Sequence, residues 1–443
     1  MIPSSRLILF LPLLFTGCLE PEKTSTDKKG DASWAALTQE EIDDGWIELF
    51  DGATLFGWKQ VGEGKWTVEN GVLSSATDNQ STLVTTTSFF DYDLKVDYRV
   101  RSDCRPQLLI GCGREGETVK GTWCEALPEG RPARSSAIDE NTPGKPIEAP
   151  PTKNKRSTST DSETRVELHV RVAAGRVTEL DFAVKRDDGR GRGGEADLSR
   201  NTKPPSTEGH LAILGGEYIA ILGIKLRPLK TSPLFNGKDL AGWKELPDSK
   251  AKFTVSDQGF LQVKNGPGNL QTEGQWADFV LQADCRGKGE ALNGRIFFRS
   301  PAEDCQQGYS VQIHENFDEN NPREYTIEDF DPKTNEPAGS RKEKFAAADY
   351  GTGGIHGLQP ARKQVAREGE WLSLAVVAHG RHMGAWVNGI MVSDWTDNRP
   401  LDASALKGCR LKKGPISLQG NEAISDMSFR NIRIAELPPV VEK

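Results

Sequence analysis

One short stretch of the chain concentrates residue types suited to proton transfer. Gln312-Ile313-His314-Glu315 closes an alternating segment, which puts Gln312 and His314 on one face of a strand with Glu315 just beyond. His356 stands in the glycine-rich turn Thr352-Gly353-Gly354-Ile355-His356-Gly357. Arg299 ends a neighbouring segment and Gln419 ends another. An imidazole can take or give a proton near neutral pH, and a guanidinium or amide can hold an oxygen that gains charge. The expected catalytic group is therefore His314, Glu315 and His356, with Arg299, Gln312 and Gln419 as ligand-binding residues. Plainer readings stand beside it. Gln312 is a solvent-facing strand residue, Arg299 an ion-pair partner of Asp278 or Glu303, and Glu315 part of a solvated acidic loop with Asp318 and Glu319. Those three carboxylates could also hold calcium through hard oxygen ligands, although their spacing fits no EF-hand loop. No metal and no cofactor is expected; a divalent cation such as calcium is the alternative.

These residues belong to the second of two related halves. Trp46-Ile47-Glu48-Leu49-Phe50-Asp51-Gly52 leads to Leu55-Phe56-Gly57-Trp58, and Pro233-Leu234-Phe235-Asn236-Gly237 leads to Leu240-Ala241-Gly242-Trp243. Trp66-Thr67-Val68 matches Phe253-Thr254-Val255, Phe90–Leu94 matches Ala277–Leu281, and Gly209–Leu214 matches Gly414–Gln419. So long a period means tandem globular domains rather than a solenoid. The expected organisation is a leader over 1–18, a polar tether over 19–45, a diverged first copy over 46–230 and a functional second copy over 233–437.

The leader reading rests on Arg6, the apolar run Leu7–Phe15 and Thr16-Gly17-Cys18. The run is too short to span a bilayer. Thr-Gly-Cys resembles a bacterial lipobox, with Phe15 where the motif prefers Leu, and implies lipidation at Cys18. An exported protein anchored to the bacterial cell envelope by lipid alone is the expectation; an ordinary secreted signal is the alternative. The seven cysteines leave six after Cys18, three per copy, so at least one free thiol or a bridge between copies is expected. No cysteine or histidine spacing suits structural zinc. A net charge of −8 with scattered basic residues argues against nucleic acid.

The local patterns are strand-like. Asp93–Arg101 and Arg165–Val172 alternate with period two, as do Phe279–Ala283, Arg295–Arg299, Tyr309–Ile313 and Trp371–Val377. Ala385–Val392 reads as a hairpin turning on Asn388-Gly389. Only Leu37–Asp44 suggests a helix. Insertions over 127–163, 186–207 and 315–369 are expected as projecting loops. The fold class is all-β, two antiparallel sandwiches in tandem.

Seven separated motifs of the second half now carry a resemblance. They are Leu234–Trp243, Asn293–Arg299, Gly308–Ile313, Thr352–Gly357, Gly369-Glu370-Trp371, Trp386-Val387-Asn388-Gly389 and Gly414–Gln419 with Phe429–Ile434. In this order they resemble the 3-keto-disaccharide hydrolase domain family, over essentially all of 233–437. The resemblance implies a concanavalin A-like jelly-roll sandwich with a sugar or oligosaccharide in its concave face, and places His356 at the cleft. It also implies a chemistry. A 3-keto group acidifies the hydrogen on C2, so a base can remove it and the C1 substituent can leave, with water adding later. The paired carboxylates of ordinary glycosidases are not needed. Asn388 and Trp386 join the expected sugar-binding residues; hairpin or core packing is the alternative for Trp386 and Trp395. Many relatives have Glu at the position of Ser310, and His after the Leu-Gln element where this chain has Gly420-Asn421. A hydrolase of 3-keto-glycosides is thus the first expectation, a non-catalytic carbohydrate-binding lipoprotein the second and an adhesion module the third.

Overall fold

The computed structural model describes residues 36–440 except 76–80, 102–106, 116–117, 126–133, 138–162, 186–190, 196–208, 216–217, 288, 303 and 368. Cys18, its leader and the tether as far as residue 35 lie outside the described residues, as do Cys104 and most of the insertions expected over 127–163 and 186–207.

Period-two alternation becomes two sheets per copy, every pairing of named strands antiparallel. In the strand Glu163–Ala173, Val166, Leu168, Val170 and Val172 point inward while charged neighbours stay partly exposed. Every other residue is hidden, so the strand is held to one register. The large sheet of the first copy runs Trp66–Glu69, Val72–Ser75, Ile219–Pro228, Tyr92–Arg101, Glu163–Ala173, Arg176–Lys185, Gly191–Glu195. The large sheet of the second copy runs Lys252–Val255, Leu261–Lys264, Asp426–Glu436, Phe279–Gly287, Leu372–His379, His382–Val387, Ile390–Thr396. The order is the same. The small sheets also correspond. Trp58–Gly62, Ser81–Thr85, His210–Leu214, Gln107–Glu115 and Thr118–Glu125 match Trp243–Glu245, Gly268–Thr272, Ser417–Gly420, Asn293–Phe298 and Tyr309–His314. The chain is all-β, with two tandem sandwiches. The first copy keeps a strand at each place where its sequence lacks the second copy's Tyr-x-Val-Gln-Ile and Trp-Val-Asn-Gly motifs.

The repeated opening motif has a physical reason. Asp51 Oδ1 accepts the amides of Ala53 and Thr54, and Asn236 Oδ1 those of Lys238 and Asp239, so each closes an Asx turn. The chain then turns at Gly57 (φ 85°) or Gly242 (φ 81°). The following tryptophan, Trp58 or Trp243, donates its indole N–H to Leu49 O or Leu234 O.

Inside the second sandwich, Leu281, Leu374, Val376 and Phe429 meet Ile296, Phe298, Val311, Ile313 and Leu418. Phe298 packs between Phe279 (5.5 Å) and Tyr309 (5.7 Å). The two sandwiches belong to one compact unit. Val280, Ala375, Val377, Trp386, Met391 and Leu437, on the outer side of the second large sheet, join the first copy's core cluster. The stretch 315–369 contains a two-stranded hairpin, Arg323–Phe330 with Pro337–Phe345. The expected helix is present as Gln39–Asp43, started by a capping box of Thr38 and Glu41. Residues 36–45, at the end of the expected tether, are thus structured: Leu37 N donates to Glu48 Oε1 (2.7 Å), and Gly45 O accepts from Gln282 Nε2 (2.8 Å). Cys285, Cys305 and Cys409 are buried free thiols. Burial pushes the Cys305 thiol up to about 11, so it stays protonated and inert.

Candidate functional site

The second copy's small sheet turns its apolar residues Leu270, Leu418, Ile296, Val311 and Ile313 into the core. Alternation sends the residues between them to the other face. One cross-strand row there is Asn269, Gln419, Arg295 and Gln312; the next is Gln271, Ser417, Phe297 and Ser310. The glycine-rich turn extends this face as a further strand. Gly353 N donates to Gln312 O, Gln312 N to Gly354 O and His356 N to Ser310 O, each at 2.9 Å, with Ile355 bridged to Val311 and buried. Ile355 faces the core, so His356 falls on the polar face beside Ser310. His314 is on the same face, one strand step beyond Gln312, with its amide bonded to Thr352 Oγ1 (3.0 Å).

Arg295 sits at the centre. Its Nε donates to Gln312 Oε1 (2.9 Å), and among the described residues no protein group accepts from its two Nη atoms. Gln312 Nε2 reaches Asn293 Oδ1 (3.4 Å), and Asn293 Nδ2 donates to Glu422 Oε1 (2.9 Å). Asp349 Oδ2 lies 3.6 Å from His314 Nδ1. The Tyr350 ring lies 4.7 Å from the His356 ring and 5.2 Å from Tyr325. Asp349 (φ 49°) and Tyr350 (φ 66°) are both left-handed, a conformation disfavoured for non-glycine residues and held here by the packing around it.

The electrostatics follow from partial burial. Loss of solvent and the Arg295 charge push the His356 imidazole down to about 4, so at neutral pH it is a free base. His314, then His356 and Arg295, hold the Asp349 carboxyl below its usual range against the effect of burial. Burial pushes the Arg295 guanidinium down and the Tyr350 phenol up. Unpartnered polar atoms also collect on this face: Asn269 Oδ1, Gln271 Oε1, Ser417 Oγ, Gln419 Oε1, His314 Nδ1 and His356 Nδ1 are buried without a hydrogen bond among the described residues. Each such atom costs about 1–3 kcal/mol unless something polar meets it. The arrangement offers a neutral base, a cation with free donors, and polar groups waiting for a hydroxyl-rich ligand.

The family model described as 3-keto-alpha-glucoside-1,2-lyase-like domain matches residues 45–178 and 230–435. The chain belongs to this family. Both copies carry the lyase-like domain, and membership gives the protein a carbohydrate-related role. No curated protein matches the chain. Among solved structures it is similar to a glycosyl-hydrolase candidate from Parabacteroides distasonis, at 20% identity and a TM-score of 0.35, covering 47% of this chain and 94% of that one. It is also similar to a carbohydrate-binding module from Bacillus subtilis, at 16% identity and a TM-score of 0.28, covering 45% and 97%.

Of the residues expected from the sequence, this lyase-like domain brings together Gln312, His314, His356 and Gln419. Four others lie elsewhere. Arg299 is 1% exposed and donates to Ala277 O, Gly380 O and Asp278 Oδ1, so it ties chain segments together out of reach of a ligand. Asn388 (φ 47°) makes the hairpin turn and exchanges hydrogen bonds with Ser373. Trp386 is 1% exposed, bonds Glu48 O and packs edge-on to Phe89, which excludes stacking on a sugar. Glu315 Oε2 accepts from Gln364 Nε2 (3.1 Å) and no residue of the Arg295 row among the described residues bonds it, while its Oε1 is buried without a partner among them. Sequence reading missed Arg295, Asp349 and Tyr350. Arg295 was readable from its register opposite Gln312; the other two sit in an insertion without periodicity.

Proposed function

We infer that the protein cleaves 3-keto-glycosides at the polar face of the second copy. The observation that supports this best is Arg295, with neither Nη atom claimed by a described residue, on a face lined by polar atoms without partners among the described residues and by a neutral histidine. In this reading the Arg295 Nη atoms hold the C3 oxygen. His356 takes the C2 proton, and the C2–H electrons become the C2=C3 bond of an enolate. The enolate then collapses to a C1=C2 bond and restores the C3 carbonyl, while the C1–O bond breaks. His314, with the Asp349 carboxylate 3.6 Å from its Nδ1, gives a proton to the departing oxygen. Water adding at C1 completes a hydrolysis. The Arg295 charge that weakens His356 as a base also acidifies the C2 hydrogen, by stabilising the enolate oxygen. The reading includes export and a lipid anchor at Cys18, tested by whether Cys18→Ser abolishes incorporation of labelled palmitate.

One observation favours a second reading. The family resemblance implies Glu at the position of Ser310 and His after Leu418-Gln419, where this chain has Gly420-Asn421; the Asn421 side chain makes a long contact to Asn293 Oδ1 (3.4 Å) and its amide donates to Asn293 O (3.2 Å). A site so altered could bind sugar without cleaving it. The purified protein is expected to release product from a 3-keto-disaccharide. No product from pH 5 to 9, with or without divalent metals, while binding persists in calorimetry, would favour the binding reading instead.

A further inference from the structure

The segment that carries His356 does not end at the site. After His356 it turns through Gln359, and at Arg362 it meets the first copy. Arg362 Nε donates to Met391 O (2.9 Å), Arg362 Nη2 to Asp51 Oδ2 (2.6 Å), and the guanidinium lies 4.5 Å from the Phe56 ring centre. The Asp51 side chain is 7% exposed, and Lys363 Nζ adds a second cation at 3.7 Å. A second arm reaches the same loop. Thr86 Oγ1 donates to Asp394 Oδ1 (2.8 Å), and Asp394 N donates to Gln359 Oε1 (2.8 Å).

The internal repeat shows that these contacts are particular to the first copy's turn. At the equivalent turn of the second copy, Asn236 stands for Asp51, Ala241 for Phe56 and Glu273 for Thr86. The amides of Thr86 and Glu273 make the same bond, to Gly57 O and Gly242 O, which fixes the correspondence. Asn236, Ala241 and Glu273 are all exposed. A Cβ on Gly57 would lie 2.6 Å from Met391 Sδ, whereas one on Gly242 meets nothing within 4 Å. A carboxylate, an aromatic ring and a hydroxyl thus replace three solvent-facing residues where the first copy abuts the His356 loop. A partly buried carboxylate–guanidinium pair is more strongly coupled and more directional than a surface pair.

We propose that the first copy is a positioning domain for the site of the second: Asp51, Phe56 and Thr86 hold Arg362 and Asp394, and so fix the loop that sets His356 against the Arg295 row. The catalytic consequence rests on the function proposed above; the mechanical claim does not. A loop loosened by a fraction of an ångström loses preorganisation, which lowers kcat more than it raises KM.

Hydrogen exchange of the full chain, read on peptides covering 352–362 by mass spectrometry, tests this without substrate. Asp51→Asn, Phe56→Ala and Thr86→Val are each expected to speed exchange there about tenfold or more, while the strand Phe279–Gly287 keeps its protection. With a 3-keto-disaccharide the same variants should lower kcat with little change in KM. Asn236→Ala and Glu273→Ala, at the equivalent positions, should leave both readouts unchanged. If Asp51→Asn unfolds, Thr86→Val decides, since it removes one hydroxyl and preserves shape. Unchanged exchange over 352–362, or a rise spread evenly through the chain, would overturn the proposal. A wild type without turnover, but with the selective rise in its variants, would remove the lyase reading and leave the positioning role intact.

Discussion

The two copies share strand order and opening turn, yet the same face of the small sheet serves opposite ends. In the second copy it is a polar row open at Arg295. In the first copy the register puts Gln107 at the Arg295 position, Leu214 at that of Gln419, Val84 at that of Gln271 and Ala212 at that of Ser417. Val61, Val84, Cys112 and Ala212 form a small buried apolar cluster there. A backbone that tolerates both faces shows that the sandwich is specified by its inward residues, while the outward row is free to bind or to pack. The first copy has put its outer surfaces to another use, since it covers the back of the second large sheet and grips the His356 loop.

If the two faces differ as described, the largest effects belong to the polar row. His356→Ala should lower turnover by about 10²–10⁴, the range of a lost general base. In the wild type, the acid limb of kcat/KM, the one set by the base, should fall at about pH 4, where His356 gains its proton. An acid limb near 6.5 would show that the imidazole is solvated and that the loop is not seated as described. Arg295→Ala should lower turnover by about 10²–10³, as loss of an oxyanion donor does. Gln107→Ala, at the matching place, should leave turnover unchanged.

The contact between the copies shows itself in stability. Trp386→Ala should cost about 3–5 kcal/mol in chemical denaturation, because its cavity opens between packed sandwiches. A loss under about 1 kcal/mol would mean the copies are joined loosely. A smaller effect comes from Glu48. It is 3% exposed, and burial pushes its carboxyl up to about 7, offset in part by the Leu37 amide. The folded protein therefore holds this proton more tightly than the unfolded chain. The resulting stability is fully present below about pH 4.5 and is lost as the pH rises through about 7. The loss amounts to about 3 kcal/mol, since a tenfold difference in proton affinity between the folded and unfolded chain is worth about 1.4 kcal/mol. Glu48→Gln should flatten that part of the stability–pH profile; a profile unchanged by the substitution would place the charge elsewhere.

Much of the fold was legible because alternation and turn chemistry are local. Asn388-Gly389 at the hairpin and Leu-Phe-Asx-Gly with its tryptophan speak through two to ten neighbouring residues. Part of the candidate face was legible where strands delivered it: Gln312, His314 and Gln419 alternate outward. Arg299 misled for a definite reason. It continues the Arg295–Phe297 parity, but the strand ends at Phe298 and the chain turns at Arg299 (φ 52°), which sends the guanidinium into the body. Asp349, Tyr350 and the Asp51–Arg362 bond depend on tertiary contacts across long separations, and no spacing in the sequence announces them.

Turnover of a 3-keto-disaccharide by the full chain, with wild type set beside Arg295→Gln and Gln107→Ala, decides whether the second copy's row is the working face. Arg295→Gln makes that row match the first copy's at its key position. Product is expected from wild type, about a hundredfold less from Arg295→Gln, and no change in Gln107→Ala. Full activity in Arg295→Gln, or a comparable loss in Gln107→Ala, would contradict the assignment.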